Sequence, residues 1–546
     1  MKKHYLLLIV AIFICAAADA AERTWQQKRQ IALSVLGKRV QTRAAQGGEL
    51  KLLKEAKALS VLGYDGGGFA VISNDDRHEA VLGVSDGRFN PDNLSDSFKW
   101  WLNAANRVLE EGGDYVRSIT PATAGNETLP NEVESFVTAK WGQGDPYNQQ
   151  CPNMQGTKAL TGCVATAAAQ IMYYYGYPTT GMGEAIFDPE SFDYIDFANT
   201  TYDYGNMIPD YSQGYTQAQA VAVATLMHHC GVATQMSYGT DASGAYSYIA
   251  AGAWRDHFGF STEFYRREAF KQKEWMSMIY EELAQRRPIQ YGGVDEGKGG
   301  HSFVLDGYDA DGLVHVNWGW EGNEDGCYDI ALLNPEGYTF SLQQDMIFMH
   351  TPDAPAFTYR SQWGIMTGGV YPGDFTVSVD GHMLSWSAAY LVNVDSDTFT
   401  GQLALIAEPA SGGQAAPIDV INVVGENGLP VEVSFTGGYE SIENTCDISD
   451  LSNGTYYIYL ASKATTPQAE TAWQPIHCGD GVNERYLLTI NNGDIDVSTG
   501  IKGITMPDVD TSDRRIYSID GRYVGTDATQ LPKGMYIRGG KKFVRR

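Results

Sequence analysis

The sequence predicts a multidomain α+β protein that continues into an all-β region. The chain has 546 residues, which at roughly 100 to 200 residues per domain corresponds to about three or four domains. Helical and strand patterns are mixed up to about residue 352, and short alternating strand segments follow. Hydrophobic residues make up 43% of the chain and charged residues 19%, a balance that is typical of globular domains.

The charge of the chain narrows the range of partners. The formal net charge is −27 at pH 7. Nucleic acids and anionic lipid surfaces are polyanions and would repel such a protein. We therefore expect neither of them to be a partner.

Residues 1–20 have the pattern of a signal peptide. Two lysines precede an apolar run from Tyr5 to Cys15, and Ala18-Asp19-Ala20 supplies the small-x-small pattern of a cleavage site after Ala20. The alternative is a membrane anchor, but the run is too short to cross about 30 Å of hydrocarbon. A lipid anchor on Cys15 is disfavoured because the bulky Ile14 precedes it. We expect a secreted or cell-surface protein without a membrane span.

Residues 21–130 are predicted to form a small α+β unit. A helix-like stretch begins at Thr24, and the apolar runs 69–72 and 80–84 flank a polar turn, which predicts a β-hairpin. Apolar residues recur at helical spacing between Phe98 and Leu109 and predict an amphipathic helix. The stretch from Thr120 to Asn131 is rich in Thr, Pro, Gly and Asn, which predicts an exposed linker of the kind that proteases cut.

A second α+β unit is predicted for residues 131–352, and its most informative segment begins at Cys163. An apolar stripe runs from Val164 to Tyr175, and Gly176 and Pro178 are helix stop signals, so Cys163 is expected to open a buried helix. Unpaired amides at a helix N-terminus favour an anion and would bias the thiol towards the nucleophilic thiolate. The alternative is a buried cysteine that packs as a small hydrophobic residue.

A cysteine nucleophile needs a base. His301 follows two glycines at the start of an apolar strand, and it lies 138 residues after Cys163. This separation is within the roughly 130 to 150 residues that separate the two groups in papain-like enzymes. His315 is the rival base, but it falls in the middle of a predicted strand, where packing in the sheet is expected.

Three further residues are candidates for supporting roles. Asn317 lies 16 residues beyond His301, so a hairpin could bring its side-chain carbonyl to the imidazole N–H, and Trp318 could shield that bond from water. The alternative is an ordinary asparagine beside a turn and core tryptophans. Gln143 lies in a glycine-rich loop twenty residues before Cys163. Its amide, together with the backbone N–H of Cys163, is the candidate oxyanion hole. Gly162 is expected to leave room for a substrate backbone.

The order of these motifs is itself informative. The segments WGQGDPYN at 141–148, TGCVATAAAQIMYYYGYP at 161–178, GGHSFVLDGYD at 299–309 and HVNWGWEG at 315–322 together resemble the streptopain family of papain-fold cysteine peptidases. The resemblance covers about residues 141–350, and the unit before it resembles the inhibitory propeptide of that family.

The resemblance implies a papain-like protease domain at residues 131–352 and an inhibitory propeptide at residues 21–130. It implies an endopeptidase that prefers an apolar residue two positions before the cut and that is activated by loss of the propeptide. Carried over by motif, Cys163 is the nucleophile, His301 the base and Gln143 the oxyanion donor. Asn317 and Trp318 occupy the positions of the histidine-orienting and shielding groups. The expected partners are protein or peptide substrates and the chain's own propeptide, with no cofactor.

Residues 353–498 show alternating segments between Gly, Asn and Asp turns, which predict an Ig-like β-sandwich. Residues 499–546 end in the basic run KKFVRR and resemble the C-terminal sorting modules of exported Bacteroidetes proteins. The alternative for this tail is a last pair of sandwich strands with a solvated basic end.

The cysteines give two further expectations. Six remain after removal of the signal peptide, and they include no CxxC pair and no Cys/His cluster at zinc spacing. We therefore expect no structural metal. Cys446 and Cys478 lie in the same β-rich region and are candidates for a disulfide in an oxidising compartment.

Two other functions remain open from the sequence. A transamidase or acyltransferase could use the same dyad, because an amine can open an acyl-enzyme as water does. A non-catalytic surface binding protein is the third reading, in which the sandwich binds a partner and the papain-like unit has lost its activity.

Overall fold

The structure is a computed structural model of the whole chain. It describes residues 22–39, 48–111, 115–124, 129–186, 194–295, 299–333, 342–355, 357, 360–368, 371–423, 438–465 and 472–499, and the backbone of four strands after residue 500. The predicted signal peptide lies outside the described residues.

The N-terminal unit is a four-stranded meander flanked by two helices. The predicted hairpin is confirmed by the antiparallel pairing of Val71 with Gly83. The predicted amphipathic helix is also confirmed, and Phe98, Trp101 and Leu109 on its apolar face are buried. In chain order the elements are α1 (Trp25–Arg39), β1 (Lys51–Glu55), β2 (Leu59–Gly63), β3 (Phe69–Ser73), β4 (Val81–Ser85) and α2 (Asp96–Glu111).

The second unit contains four helices and ten strands among the described residues. The helix predicted to begin at Cys163 is confirmed. The elements are β5 (Asn153–Met154), β6 (Thr157–Lys158), α3 (Cys163–Tyr175), β7 (Glu184–Ile186), β8 (Tyr194–Asp196), α4 (Gln217–Ala233), α5 (Ser247–Phe258), β9 (Ser261–Arg266), α6 (Gln272–Ala284), β10 (Ile289–Asp295), β11 (Gly299–Tyr308), β12 (Val314–Asn317), β13 (Gly326–Tyr328) and β14 (Asp345–His350).

The two units share one ten-stranded sheet in the order β1-β2-β3-β4-β13-β12-β11-β10-β14-β9. The junction is the antiparallel pairing of β4 with β13, in which Val84 lies opposite Cys327. Gly326 permits this approach, because a Cβ there would overlap the carbonyl oxygen of Val84. The N-terminal unit is thus a continuation of the central sheet, which the sequence did not predict.

The sheet carries helices on both faces. Phe303 and Leu305 of β11 pack in the hydrophobic cluster that contains α2 and α6. Val304, which points to the opposite face, packs in the cluster that contains α3, α4 and α5. This alternation is the two-residue period of a strand that is buried on both sides. It places α2 of the N-terminal unit and α3, which begins at Cys163, on opposite sides of the same strand.

The segment predicted as an exposed linker is only partly exposed. Ala122 and Thr123 are exposed, but Pro121 and Ala124 are buried. The carbonyl oxygen of Ala124 accepts a hydrogen bond of 2.7 Å from the hydroxyl of Ser277 on α6. The expectation was wrong for Pro121 and Ala124 because the segment runs along the protease surface and packs these two apolar side chains there.

Residues after 353 form the predicted β-sandwich. One described sheet has five strands and the other six, and side chains of both, such as Trp386 and Leu405, share one core. The strands are β15 (Trp363–Ile365), β16 (Thr367–Gly368), β17 (Tyr371–Pro372), β18 (Asp374–Asp380), β19 (Met383–Asn393), β20 (Gly401–Pro409), β21 (Ala416–Val423), β22 (Gly438–Asp447), β23 (Gly454–Ala464), β24 (Gln474–Pro475), β25 (His477–Cys478), β26 (Tyr486–Asn491) and β27 (Asp494–Ser498).

The suggested disulfide is absent: Cys446 and Cys478 are both free thiols. Cys446 lies on β22 and Cys478 on β25, and β19 and β15 stand between these strands. Three strand spacings of about 4.8 Å separate the two cysteines by far more than a disulfide can bridge.

The C-terminal tail contains a four-stranded sheet in the order β29-β28-β30-β31. Its strands are β28 (Ile516–Ser518), β29 (Tyr523–Gly525), β30 (Gly534–Arg538) and β31 (Lys541–Arg545). Throughout the described part of the chain, no helix has the length and apolarity needed to cross a membrane.

Candidate active site

Helix α3 begins at Cys163 because of the glycine before it. Gly162 has a φ of 86°, a conformation that residues with a Cβ rarely adopt. A Cβ at this position would also lie 2.7 Å from the sulfur of Met236. The expectation that Gly162 leaves room for a substrate is therefore wrong. The side chain of Met236 fills this space, so a glycine is required here by packing.

The elements that carry Cys163 and His301, α3 and β11, are in contact. The backbone N–H groups of Ser302, Val164 and Cys163 itself act on the sulfur of Cys163 and favour its thiolate form. Ser302 follows His301 on β11, so the strand that carries the histidine runs past the N-terminus of α3. Both Cys163 and His301 line one cavity of about 560 Å³. The central expectation of the sequence analysis, that these two residues share a cleft, agrees with this geometry.

Both groups of the pair are electrically neutral at neutral pH in this structure. Burial raises the pKa of the Cys163 thiol, the carboxylate of Asp345 acts in the same direction, and the three N–H groups oppose them. Burial also lowers the pKa of His301, against the opposing charge of Asp96. The predicted bias towards thiolate is wrong for this state, because loss of water around the sulfur outweighs the field of the helix N-terminus.

The N-terminal unit contacts the histidine directly. The ring centroids of Trp100 and His301 are 6.2 Å apart, and Asp96, one turn earlier on α2, is the charge that acts on the imidazole. Trp100 is 5% exposed. It fits against the strand that pairs with β11, because Gly293 there has no side chain, and a Cβ would be 2.7 Å from the indole ring.

Asn317 is the last residue of β12, the strand that pairs with β11, and Trp318 follows it. Among the described residues, neither forms a hydrogen bond or a ring contact with the imidazole of His301. The side-chain amide of Asn317 donates to the carbonyl oxygen of Ala139 at 2.7 Å, and its carbonyl oxygen accepts from the N–H of Gly319 at 3.0 Å. Asn317 pairs with Val304, three residues beyond His301. The predicted bond from His301 to Asn317 is therefore not formed in this structure.

Trp318 is fully buried, and its ring centroid lies 4.8 Å from that of Phe303. Its indole N–H donates to the carbonyl oxygen of Glu324 at 3.0 Å. The side chain thus forms part of the core beneath the histidine strand, and in this state it does not cover a hydrogen bond of His301.

Gln143 is anchored next to the nucleophile through its backbone. Its carbonyl oxygen accepts a hydrogen bond of 3.1 Å from the N–H of Thr161, two residues before Cys163. The side chain is half-buried. The role of its amide as oxyanion donor stays a prediction.

The rival base, His315, lies away from the cavity. It is the second residue of β12, as the sequence predicted for a residue within a strand. Its Nδ1 contacts the carboxylate of the fully buried Asp306, and that contact raises the pKa of the imidazole against the effect of burial. His315 is part of a structural ion pair in the sheet.

Two residues at the site were missed. Gln290 is buried in β10, and its amide donates at 3.2 Å both to the carbonyl oxygen of Val164 and to the hydroxyl of Ser302. It therefore ties the first turn of α3 to the histidine strand. Asp345 lines the cavity, and burial raises its pKa to about 7. Neither residue stands in a pattern that distinguishes it from an ordinary strand residue in the sequence.

No group of three or more His, Cys, Asp or Glu side chains that could hold a metal ion occurs in the described ranges.

The chain was compared with known proteins. The peptidase C10 family profile matches residues 141–328. Streptopain of Streptococcus pyogenes is 31% identical over 315 residues, which are 53% of this chain and 77% of streptopain. The chain belongs to the streptopain family. It is accordingly a member of a family of cysteine peptidases, and the resemblance drawn from the four motifs is confirmed.

Two further relatives extend this comparison with the streptopain family. The thiol protease/hemagglutinin PrtT of Porphyromonas gingivalis is 30% identical over 362 residues, 61% of this chain, and the match spans 42% of PrtT. The structure of a Prevotella intermedia prointerpain A fragment is 42% identical, with a TM-score of 0.50, and covers 55% of this chain and 98% of the fragment. The latter match is longer than the 141–328 segment, so the similarity to this precursor form reaches beyond the family profile.

Proposed function

We propose that this chain is a secreted cysteine endopeptidase that is synthesised as an inactive precursor. In this proposal residues 1–20 are a signal peptide, residues 21–130 an inhibitory propeptide and residues 131–352 the protease domain. The observation that carries it is the placement of Cys163 and His301 in one cavity, where Gln290 bonds both the first turn of α3 and Ser302 beside His301.

The chemistry follows from the groups at the cavity. His301 accepts the thiol proton of Cys163, and the thiolate attacks the carbonyl carbon of the scissile bond. The backbone N–H of Cys163 and the amide of Gln143 stabilise the resulting oxyanion. His301 then protonates the departing amine, and a water molecule that it deprotonates hydrolyses the acyl-enzyme.

The N-terminal unit acts as inhibitor through α2. Trp100 and Asp96 lie at His301, and both members of the dyad are held in their neutral forms. Among the hydrogen bonds of the described residues there is none between Cys163 and His301. Withdrawal of α2 would admit water to His301, raise its pKa and allow the thiolate–imidazolium pair to form.

Asn317 and Trp318 are assigned positioning roles in the active enzyme. Once α2 has left, the imidazole can move along the cavity wall towards the sulfur. Asn317 fixes the adjacent loop through its bonds to Gly319 and Ala139. These bonds and the core packing of Trp318 then hold β11, the strand that carries His301, in place. The signal peptide and the tail are assigned to export, so the natural location is outside the cell or at its surface.

The test is a comparison of full-length Cys163→Ala with Cys446→Ala, a half-buried cysteine of the sandwich. We expect Cys163→Ala to abolish peptide hydrolysis and self-cleavage near the segment from Thr120 to Asn131, and Cys446→Ala to retain both. N-terminal sequencing of the exported protein locates the cleavage sites, and product masses separate hydrolysis from amine transfer. Processing and hydrolysis by the Cys163→Ala protein would disprove the proposal.

A further inference from the structure

The cavity at Cys163 is lined in part by the β-sandwich. Most of its walls come from the protease domain, but Met366 and Tyr371 also line it. Met366 directly precedes the two-stranded ladder formed by β16 and β17, and Tyr371 lies within it, opposite Gly368. We call this ladder with Met366 the cleft hairpin. It belongs to the chain beyond residue 353, outside the segment that matches the family profile.

A buried ion pair fixes the sandwich against the protease domain behind the cleft hairpin. Arg267 bonds the carboxylate of Asp480 at 2.7 Å, and the two side chains are 3% and 17% exposed. The same carboxylate accepts the N–H of Gln272, at the start of α6, at 3.0 Å. Phe270, between these residues, contacts His477 of the sandwich with ring centroids 4.3 Å apart. A desolvated pair with a second hydrogen bond holds one relative orientation of the two domains.

The cleft hairpin packs tightly against the protease domain. A Cβ at Gly479 would overlap both Thr367 of the hairpin and the carbonyl oxygen of Glu268 of the protease domain. Three segments therefore meet in van der Waals contact at this glycine. Met366 is 2% exposed and packs in the same cluster as Ala269 and Phe270.

We propose that the cleft hairpin is a substrate-binding wall, so that a peptide attached to Cys163 contacts the protease domain and the sandwich together. This inference rests on the proposed function. It assigns Met366 and Tyr371 as specificity-determining residues, and it makes the sandwich a working part of the mature enzyme.

The lining identifies the class of substrate side chain. Val164, Phe264, Met366 and Tyr371 offer apolar surface, whereas the charged lining residues are one guanidinium and two carboxylates. The charged residues are Arg266, Glu268 and Asp345. A long side chain that is apolar or basic would bury its stem on the apolar wall, and an acidic one would meet excess negative charge.

The experiment measures how fast Cys163 reacts with two kinds of probe in the processed protein. One is iodoacetamide, which needs no binding site beyond the thiol. The other is a series of peptidyl acyloxymethyl ketones that carry glycine, leucine, arginine or glutamate at each position before the reactive group. The variants are Tyr371→Ala and Asp480→Ala, and the control is Tyr457→Ala, an exposed tyrosine elsewhere in the sandwich.

We expect Tyr371→Ala to lower the rate with leucine and arginine probes at one position by about three- to tenfold, as loss of one aromatic contact predicts. The rates with glycine probes and with iodoacetamide should stay within a factor of two. Asp480→Ala removes the ion pair that fixes the sandwich behind the cleft hairpin, and it should lower the same probe rates. Tyr457→Ala should leave all probe rates unchanged.

Equal probe selectivity in the wild type and in both folded variants would overturn the inference. Thermal unfolding identifies a variant that has lost its fold, and the other variant then decides. A thiol that does not react with peptidyl ketones in the wild type, although it reacts with iodoacetamide, contradicts the proposed function instead. The two failures are therefore distinguishable.

Discussion

The imidazole of His301 lies with its ring centroid 6.2 Å from that of the indole of Trp100, a residue of the segment that we assign as propeptide. The two residues are 201 positions apart in the chain, and they meet because β4 extends the central sheet at β13. The contact links the position of the catalytic base to the docking of α2. In the proposed function, release of that helix and activation of the dyad are therefore expected to occur together.

Removal of the indole should weaken inhibition. We expect Trp100→Ala to accelerate self-processing of the precursor and the alkylation of Cys163 by at least about tenfold, since a large buried aromatic truncation costs roughly 3–5 kcal/mol of packing. Time courses of processing on gels and of iodoacetamide labelling measure both effects. Trp25→Ala, at a tryptophan of α1 that is 40% exposed, is the matched control. Slower processing by Trp100→Ala than by this control would contradict the assignment.

A buried ion pair joins the propeptide to the protease domain. Arg117 bonds Asp329 at 2.7 Å, and the two side chains are 4% and 0% exposed. Tyr115 donates to the same carboxylate at 3.0 Å. The pair lies near the junction of β4 and β13, so it contributes to the docking of the whole N-terminal unit.

Arg117→Ala should lower the unfolding free energy of the precursor by roughly 3–5 kcal/mol, because it leaves a buried carboxylate without its cation. Thermal unfolding of the Cys163→Ala precursor, which we expect not to process itself, measures this loss. Arg77→Ala removes an arginine from a partly exposed pair with Asp75 and should cost at most about 1 kcal/mol. Equal losses in the two variants would show that the Arg117 pair does not hold the propeptide.

Patterns within short sequence segments were sufficient to predict individual helices and one hairpin. Helix α2 and the helix at Cys163 follow from the spacing of apolar residues, and the hairpin β3–β4 from two apolar runs with a polar turn. The pairing of β4 with β13 could not be predicted, because β13 has three residues, Gly326–Tyr328, and no distinguishing alternation. The close approach that Gly326 allows becomes visible only in three dimensions.

The candidate active site was also only partly predictable from the sequence. The shared cavity of Cys163 and His301 was predictable because their types, spacing and flanking glycines match the chemistry of a thiol protease. The raised pKa of the thiol was not predictable, since it depends on burial and on groups distant in the chain such as Ser302 and Asp345. Asn317 was assigned a bond to His301 from spacing, but its carbonyl oxygen accepts from the N–H of Gly319. Its amide donates to the carbonyl of Ala139, which lies 178 residues away in the chain.

Asp345 should contribute, in addition to burial, to the raised pKa of the Cys163 thiol. Burial raises its pKa to about 7, so it is protonated below that pH and negatively charged above it. Its charge raises the pKa of the Cys163 thiol. We therefore expect Asp345→Asn to lower the thiol pKa and to increase the alkylation rate above pH 7, with little change below about pH 6. The pH profile of iodoacetamide labelling measures this effect.

A neutral substitution at a distant carboxylate is the control for that experiment. Asp380→Asn, at an exposed residue of β18, should leave the profile of Cys163 unchanged. If Asp345→Asn shifted the profile to higher pH, the negative charge of Asp345 would not be the group that opposes ionisation of the thiol.

Substitution of Asn317 distinguishes a purely structural role from a direct hydrogen bond to His301 in the active enzyme. Asn317→Ala leaves the carbonyl of Ala139 and the N–H of Gly319 without their partner, and each unsatisfied buried group costs about 1–3 kcal/mol. We expect a loss of that order in the thermal stability of the precursor. In the processed enzyme, a role limited to positioning predicts a lower kcat at an unchanged pH optimum. A shift of the acid limb of the kcat/KM profile would instead show that Asn317 reaches the imidazole directly once the propeptide has left, because loss of a hydrogen-bond acceptor lowers the pKa of His301.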